Sequence, residues 1–330
     1  MDRRKVLGMM VAAPFVVGTK ARAAEVNLRL ASFATDASSW GRAQETLKAE
    51  LARRSSGRIE LSIFNNNTLG SNREALELAR RGGVDMVLTG VSHATRNVPQ
   101  LNALLFPYLF KDRASMFQTL DGQAGTKLDG MMRQQGLSQL AWWDNGFRHV
   151  SNNRRPIVEP GDLQGLKLRT LPTAIHVSFF RKIGAVPTPM DFAELLPALR
   201  QGVIDGQENP PAVMGPFKIF EVQKFYSLTA HVNEPMVLVM SEQSRKKIPA
   251  DLEKVLIDAA AAASAFQRET NAREEDQIMA ELRRSMTVNE PPAATLAALR
   301  TVARTVYSEA FSTLGPGGEE IVADIARANS

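Results

Sequence analysis

Residues 26–89 read VNLRLASFATDASSWGRAQETLKAELARRSSGRIELSIFNNNTLGSNREALELARRGGVDMVLT. Val26 to Ala31 alternates apolar and polar side chains, the period-two signature of a half-buried strand. Ser39 to Arg54 changes to a helical spacing, and Ser38 or Ser39 is placed to cap it. Gly57 breaks that helix. Arg58 to Phe64 is a second strand with Ile59, Leu61 and Ile63 on one face. After the loop Asn65-Asn66-Asn67 and Gly70, Ser71 opens a helix through Arg80. Glu74 stands three positions on, in capping-box spacing. Gly82-Gly83 closes it, and Asp85 to Thr89 is a strand of the fully buried type. Strand, helix, strand, helix, strand in one chain predicts a parallel sheet covered by helices.

Working outward, the alternation returns with different residues. Leu137 to Trp143 and Lys167 to Thr170 read as strands. Thr173 to Ile183 reads as a helix ended by Gly184, and Asp191 to Gln201 as a helix ended by Gly202. Val203-Ile204-Asp205 reads as a short strand. Pro235 to Met240 is a strand that fits either sheet. Pro249 to about Ser285 is one helical pattern with no proline or glycine after its start, longer than a compact domain ordinarily needs. A strut running along two lobes is its simplest use. Asn289 to Pro292 breaks the pattern, Ala294 to Phe311 forms a further helix, and Gly315-Pro316-Gly317-Gly318 reads as a turn. A length of 330 residues exceeds what one compact core ordinarily supports. The absence of a Pro/Ser-rich linker predicts two lobes joined by several backbone crossings.

The first residues are of another kind. Asp2-Arg3-Arg4-Lys5 is followed by an apolar run from Val6 to Gly18 and then by Ala21-Arg22-Ala23. Charged, apolar, small-residue order is that of a cleaved export signal. The run is shorter than the roughly 20 residues that span a bilayer. Cleavage after Ala23 is expected, by the general route or, given Arg3-Arg4, by the twin-arginine route. Residues 1–23 hold five basic side chains and one acid, so their removal takes the formal net charge from +5 to +1. A nearly neutral mature chain gives little electrostatic support to a nucleic-acid partner, and no other stretch reaches membrane-span length. The absence of cysteine excludes disulfides, thiolate metal sites and a lipid anchor.

Catalytic patterns are missing as well. His93, His149, His176 and His231 include no pair at helical ligand spacing, so no metal is expected. There is no G-x-S-x-G elbow and no phosphate-cradling loop, so no cofactor is expected either. Asp205 and Glu208 could form a carboxylate pair for glycoside hydrolysis. Asp205-Gly206, though, is an ordinary turn pair whose carboxylate bonds to backbone. Arg169 ends the apolar strand Leu166-Lys167-Leu168-Arg169. A guanidinium at a strand end facing a cleft matches a carboxylate bidentately.

The stretch Asp144-Asn145-Gly146-Phe147-Arg148-His149-Val150-Ser151-Asn152 carries a resemblance. So do Pro160 to Arg169, Ile183 to Glu194 and Ala198-Leu199-Arg200-Gln201-Gly202-Val203-Ile204-Asp205-Gly206-Gln207-Glu208-Asn209-Pro210. Together with Asn67 to Gly70 and Leu105 to Phe110, they resemble the solute-binding proteins of tripartite ATP-independent periplasmic (TRAP) transporters, of the dicarboxylate-binding subunit type. The resemblance covers nearly all of the mature chain. It implies an α/β fold of two lobes with crossing strands, a long spanning helix and a ligand cleft that closes without catalysis. The expected division is residues 24–147 plus about 235–270 in lobe I, and 148–234 plus about 271–330 in lobe II.

By position, Arg169 matches the carboxylate-clamping arginine, Asn209 its amide partner, Phe192 the aromatic that packs on ligand, and Arg148 a second cationic contact. Phe33, Trp40, Thr89, Gly90 and Ser92 are the first-lobe candidates for selectivity, and Trp143 is a further aromatic. None is an acid, which disfavours an amine-bearing ligand. The implied partners are a small organic carboxylate (a C4-dicarboxylate, sugar acid, or hydroxy or keto acid) and the two membrane subunits of the transporter, in the periplasm. A sensing module of the same fold that signals to a receptor is the alternative. A secreted hydrolase using Asp205 and Glu208 is a more distant one.

Overall fold

The structure, a computed structural model, describes residues 24–329. The expected export signal lies outside the described residues. The first sheet is built from β1 (Val26–Ser32), β2 (Ile59–Phe64), β3 (Met86–Gly90), β4 (Leu137–Trp143) and β10 (Met236–Ser241), in the order β2-β1-β3-β10-β4. The leading three strands pair in parallel, while β10 runs antiparallel to β3 and β4. Helices α1 (Ser39–Arg54) and α2 (Asn72–Arg80) are the crossovers expected from the opening stretch. Ser38 caps α1 on the Gly41 amide, and Ser71 with Glu74 forms the capping box of α2. Helices α3 (Arg113–Leu120) and α4 (Gln123–Gln134) complete this lobe's cover.

The second sheet contains β5 (Phe147–Asn152), β6 (Lys167–Thr170), β7 (Val186–Pro189), β8 (Gly206–Asn209), β9 (Phe225–Asn233) and β11 (Thr287–Asn289), in the order β11-β9-β5-β8-β6-β7. Helices α5 (Ala174–Lys182) and α6 (Phe192–Arg200) follow β6 and β7, and the short α7 (Pro211–Met214) follows β8. The strand expected at Val203–Asp205 forms instead at Gly206–Asn209. Val203 is half exposed, and the Asp205 carboxylate accepts the Lys167 amide at 3.0 Å. The buried side chains of β8 are Gln207, Glu208 and Asn209, so apolar patterning passes over it.

Two strand-to-strand crossings join the sheets: Asp144-Asn145-Gly146 between β4 and β5, and Glu234-Pro235 between β9 and β10. The strand at 236–241 therefore belongs to the first sheet. After the single turn α8 (Glu242–Arg245), helix α9 (Ala250–Ser285, 36 residues) runs along both lobes, against α1 and β4 on one side and α7 and β11 on the other. Buried Ala259, Ala260 and Ala263 let α1 approach closely.

Helix α9 also holds the first crossing. The Gln267 side chain takes the Asp144 amide at 2.7 Å and donates to its carbonyl at 2.9 Å, and Asn271 donates to the Asp144 carboxylate at 2.7 Å. Arg113 pairs with the same carboxylate at 3.0 Å. These bonds satisfy a buried turn that no sheet ladder could. Helix α10 (Ala293–Phe311) packs on α5 of the second lobe. Helix α11 (Gly318–Ala328) crosses back and packs on α3 and α4, so the stretch 271–330 is shared between lobes rather than confined to lobe II. Among the described residues no helix is long and apolar enough to cross a membrane.

Candidate functional site

Strand β6 lies inside the second sheet between β7 and β8, and that position buries the side chain of Arg169. Its guanidinium is 1% exposed. Nε donates to the Met190 carbonyl at 3.1 Å, and no carboxylate among the described residues lies within ion-pair distance. Burial first, then the charge of Arg148, pushes its pKa down to about 10. It remains a cation at neutral pH, held in a place that penalises cations.

Arg148, on β5, is in the opposite condition. Its Nε and Nη2 grip the Glu208 carboxylate at 2.6 and 2.9 Å, and its Nη1 meets Glu234 at 3.2 Å. Burial would lower the Arg148 pKa, but Glu208 and Glu234 outweigh it and raise it. Burial would raise the Glu208 carboxyl. The Arg148 charge and the hydrogen bond from His231 outweigh that and hold it well below the usual carboxylate range. His231 donates from Nε2 to Glu208 at 3.1 Å and pairs through Nδ1 with Thr229 at 2.9 Å. Glu208 thus has its lone pairs taken by structure. Asp205 sits at the surface end of the same strand, paired with Arg154 at 3.2 Å. The two carboxylates considered as a hydrolytic pair are separately occupied.

Arg169 and Arg148 face one cavity between the lobes. Phe33, Asn72, Gly90, His93 and Met236 line it from the first lobe; Leu171, Phe192, Asn209 and Val213 line it from the second; Asn145 and Glu234 come from the two crossings. Its interior is small, a cavity of about 30 Å³. That holds about two waters. The rings of Phe33, Phe192 and Phe217 close over one side. Phe33 meets Phe192 edge-on at 5.7 Å and stacks on Phe217 at 6.0 Å, bridging the lobes. Asn209 ends β8. Its carbonyl accepts the Tyr226 hydroxyl at 2.9 Å, and its amide donates to Gln207.

Six of the residues singled out in the sequence therefore line the cavity: Arg169, Arg148, Asn209, Phe192, Phe33 and Gly90. Four do not. Trp40 is wholly buried behind Phe33, its indole nitrogen donating to the Asp144 carbonyl at 2.9 Å. Thr89 bonds weakly to the Gly90 carbonyl, at 3.4 Å. Ser92 contributes its backbone amide to Glu234, at 3.1 Å. Trp143 sits inside the first sheet opposite Met236. Apolar bulk explains the two tryptophans, because a tryptophan that looks like a ligand platform is equally a core residue.

Glu234, His93 and Asn145 also line the cavity, although none was expected there from the sequence. Glu234 adds to the cavity lining an acid that the first-lobe candidates lacked. The Asn145 Oδ1 and His93 Nδ1 atoms are buried without hydrogen-bond partners. Burial, then the charge of Arg169, pushes His93 down to about 3, so its imidazole is neutral. Asp191 is the nearest acid to it, at 3.9 Å.

The chain matches the family described as bacterial extracellular solute-binding protein, family 7 (DctP), over residues 30–314. It is 36% identical over 229 residues to the 2,3-diketo-L-gulonate-binding periplasmic protein YiaO of Escherichia coli K12, covering 69% of this chain and 70% of that one. It is 28% identical over 281 residues to the C4-dicarboxylate-binding periplasmic protein DctP of Rhodobacter capsulatus, covering 83% and 84%. Among solved structures, a TRAP periplasmic solute-binding protein from Polaromonas sp. JS666 bound to D-erythronate superposes with a TM-score of 0.87 at 32% identity, covering 92% of this chain and 99% of that one.

Proposed function

Because this chain belongs to the DctP family of TRAP periplasmic solute-binding proteins, we propose that it captures a small organic carboxylate on Arg169 and delivers it to the membrane subunits of a TRAP transporter. The activity is binding, not catalysis. One observation carries the reading: a buried guanidinium without a counter-ion faces a cavity between two lobes.

The energetics explain why capture and closure are coupled. With the lobes apart, Arg169 is hydrated. Closing over it alone strips that hydration at a cost of several kcal/mol. A ligand carboxylate supplies two parallel hydrogen bonds and the missing negative charge. Asn209 adds a neutral amide, and the ring of Phe192 packs on the ligand carbon chain. Water leaves as the Phe33–Phe192–Phe217 cluster forms, and each polar contact strengthens. The ligand thereby shifts the open–closed equilibrium through its preference for the closed state. The closed form is the one that docks on the membrane subunits.

Titration calorimetry of the purified protein against C4-dicarboxylates, hexuronates, aldonates and keto acids tests this. Saturable binding of at least one class, abolished in Arg169→Ala, supports it. Binding that survives the substitution unchanged refutes the clamp.

A further inference from the structure

The charge arrangement around the cavity goes beyond a generic carboxylate site. Two guanidiniums, Arg169 and Arg148, face it, but two carboxylates already answer Arg148. Glu208 takes it bidentately, and Glu234 takes its remaining terminal nitrogen at 3.2 Å. Arg148 is therefore not free to clamp a second ligand carboxylate. The two guanidiniums and the two carboxylates balance before any ligand arrives. One ligand carboxylate on Arg169 is locally paired; a second would add a negative charge after both buried guanidiniums are engaged, with Glu234 in the same small cavity.

Glu234 is itself held in place. One oxygen accepts the Ser92 amide at 3.1 Å while the other faces Arg148. It stands on the crossing between β9 and β10, beside Pro235, whose ring limits backbone relief. Gly90 leaves the room it occupies, since a Cβ there would lie 2.6 Å from its Oε1. What the cavity offers beyond Arg169 is a set of neutral groups and spare acceptors. The buried Asn145 Oδ1 lacks a donor, and the buried His93 Nδ1 lacks a partner. Hydroxyl groups, which both donate and accept, match such a lining. An ammonium matches it less well, because the two guanidiniums repel it and Glu234, the acid that would attract it, is already taken by Arg148 and the Ser92 amide.

We propose that Glu234 is a specificity-determining residue: it makes the site select monocarboxylates bearing hydroxyl groups and reject a second carboxylate. The proposal rests on Arg169 being the carboxylate clamp. A matched four-carbon series isolates the chemistry: erythronate, butanoate, succinate and 4-aminobutanoate. Gluconate and adipate repeat the contrast at six carbons. Like-charge repulsion in a water-poor cavity predicts that the wild type binds the hydroxy acid about 100-fold or more tightly than the diacid of equal length.

In Glu234→Gln, the diacid should gain and the hydroxy acid should weaken, so that the ratio falls at least about tenfold. Glu234→Asp keeps the charge and should keep the rejection of diacids, which covers the case in which the glutamine variant fails to fold. Three results overturn the proposal: wild-type preference for the diacid or the amino acid, no binding of either hydroxy acid, or a ratio unchanged in a folded Glu234→Gln. Arg169→Ala separates the two levels. If it abolishes all binding while the glutamine variant leaves the ratio unmoved, only the selectivity claim fails. If every acid still binds, the clamp fails first.

Discussion

Replacing Arg169 by methionine should move stability and binding in opposite directions. The wild-type guanidinium is 1% exposed and pairs with no carboxylate. Burial, with Arg148 adding to it, pushes its pKa down to about 10 from the ordinary guanidinium value. Burying this cation without a counter-ion withholds several kcal/mol from the closed folded state. For a base with a lowered folded pKa, the penalty is fully present below that pKa, hence throughout the neutral range. Methionine fills much of the same volume without charge. It sacrifices one hydrogen bond, Nε to the Met190 carbonyl, worth about 1 kcal/mol net. The ligand-free protein should therefore melt at the same temperature or higher. In small-angle scattering it should be at least as compact as the wild type. Ligand affinity should fall by about 2–5 kcal/mol, at least roughly 30-fold, because a ligand carboxylate would then be desolvated without a partner. Differential scanning calorimetry without ligand and titration calorimetry with the best ligand read the two effects. A melting temperature lowered by several degrees, with affinity kept within about threefold, would show that Arg169 is a structural residue and refute the reasoning.

Other substitutions test the surrounding frame. Glu208→Gln leaves the buried Arg148 with Glu234 as its one charged partner beside the neutral backbone carbonyl of residue 208, and should destabilise by about 3–5 kcal/mol in urea unfolding; a loss below about 1 kcal/mol would mean that Glu234 and the carbonyl suffice. Gly90→Ala places a Cβ 2.6 Å from the Glu234 carboxylate, so it should weaken ligand binding about tenfold or more, and an unchanged dissociation constant would show that Glu234 has room to move. The His149 and His176 side chains are pushed by burial from 6.5 down to about 3. Between those values the unfolded chain binds protons that the folded one does not, so stability falls on acidification below about pH 6.5. The Glu208 contribution, from a depressed carboxyl, is lost only in stronger acid and has the same sign. A urea midpoint that stays flat from pH 7 to pH 4 would contradict the buried, neutral state of these imidazoles.

The parts of the fold that bury hydrocarbon were legible in the sequence. Val26 to Ala31, Arg58 to Phe64 and Asp85 to Thr89 form strands because alternate or continuous apolar side chains must leave water. Ser71 with Glu74 marks a helix start because the two side chains satisfy each other's orphan amides. The 36-residue helix is legible because nothing in it breaks. Legibility fails where the buried side chains are polar. Strand β5 buries Arg148, His149, Ser151 and Asn152, and β8 buries Gln207, Glu208 and Asn209. Neither shows a hydrophobic period, although they sit side by side in the middle of the second sheet.

That failure follows from what the site must do. A cavity that recognises a charged ligand needs charged and amide side chains in its walls, and those walls must be buried when the lobes close. Each such residue then requires a partner supplied from far along the chain. Arg148 finds Glu208 and Glu234 at separations of 60 and 86 residues, and Glu234 finds the Ser92 amide 142 residues away. Local spacing carries no trace of such pairings. Arg169 could be singled out because it interrupts an apolar strand. Glu234, one acid between Asn233 and Pro235, reads as an ordinary turn residue until both crossings are laid beside each other. The two crossings supply Asn145 and Glu234 to the cavity, and in the proposed opening and closing of the lobes the same segments flex. Ligand chemistry and lobe motion therefore share residues: a ligand that satisfies Asn145 without crowding Glu234 also stabilises the backbone geometry of closure. On the proposed selectivity, a second carboxylate opposes both at once, so discrimination against it acts on closure and on contact together.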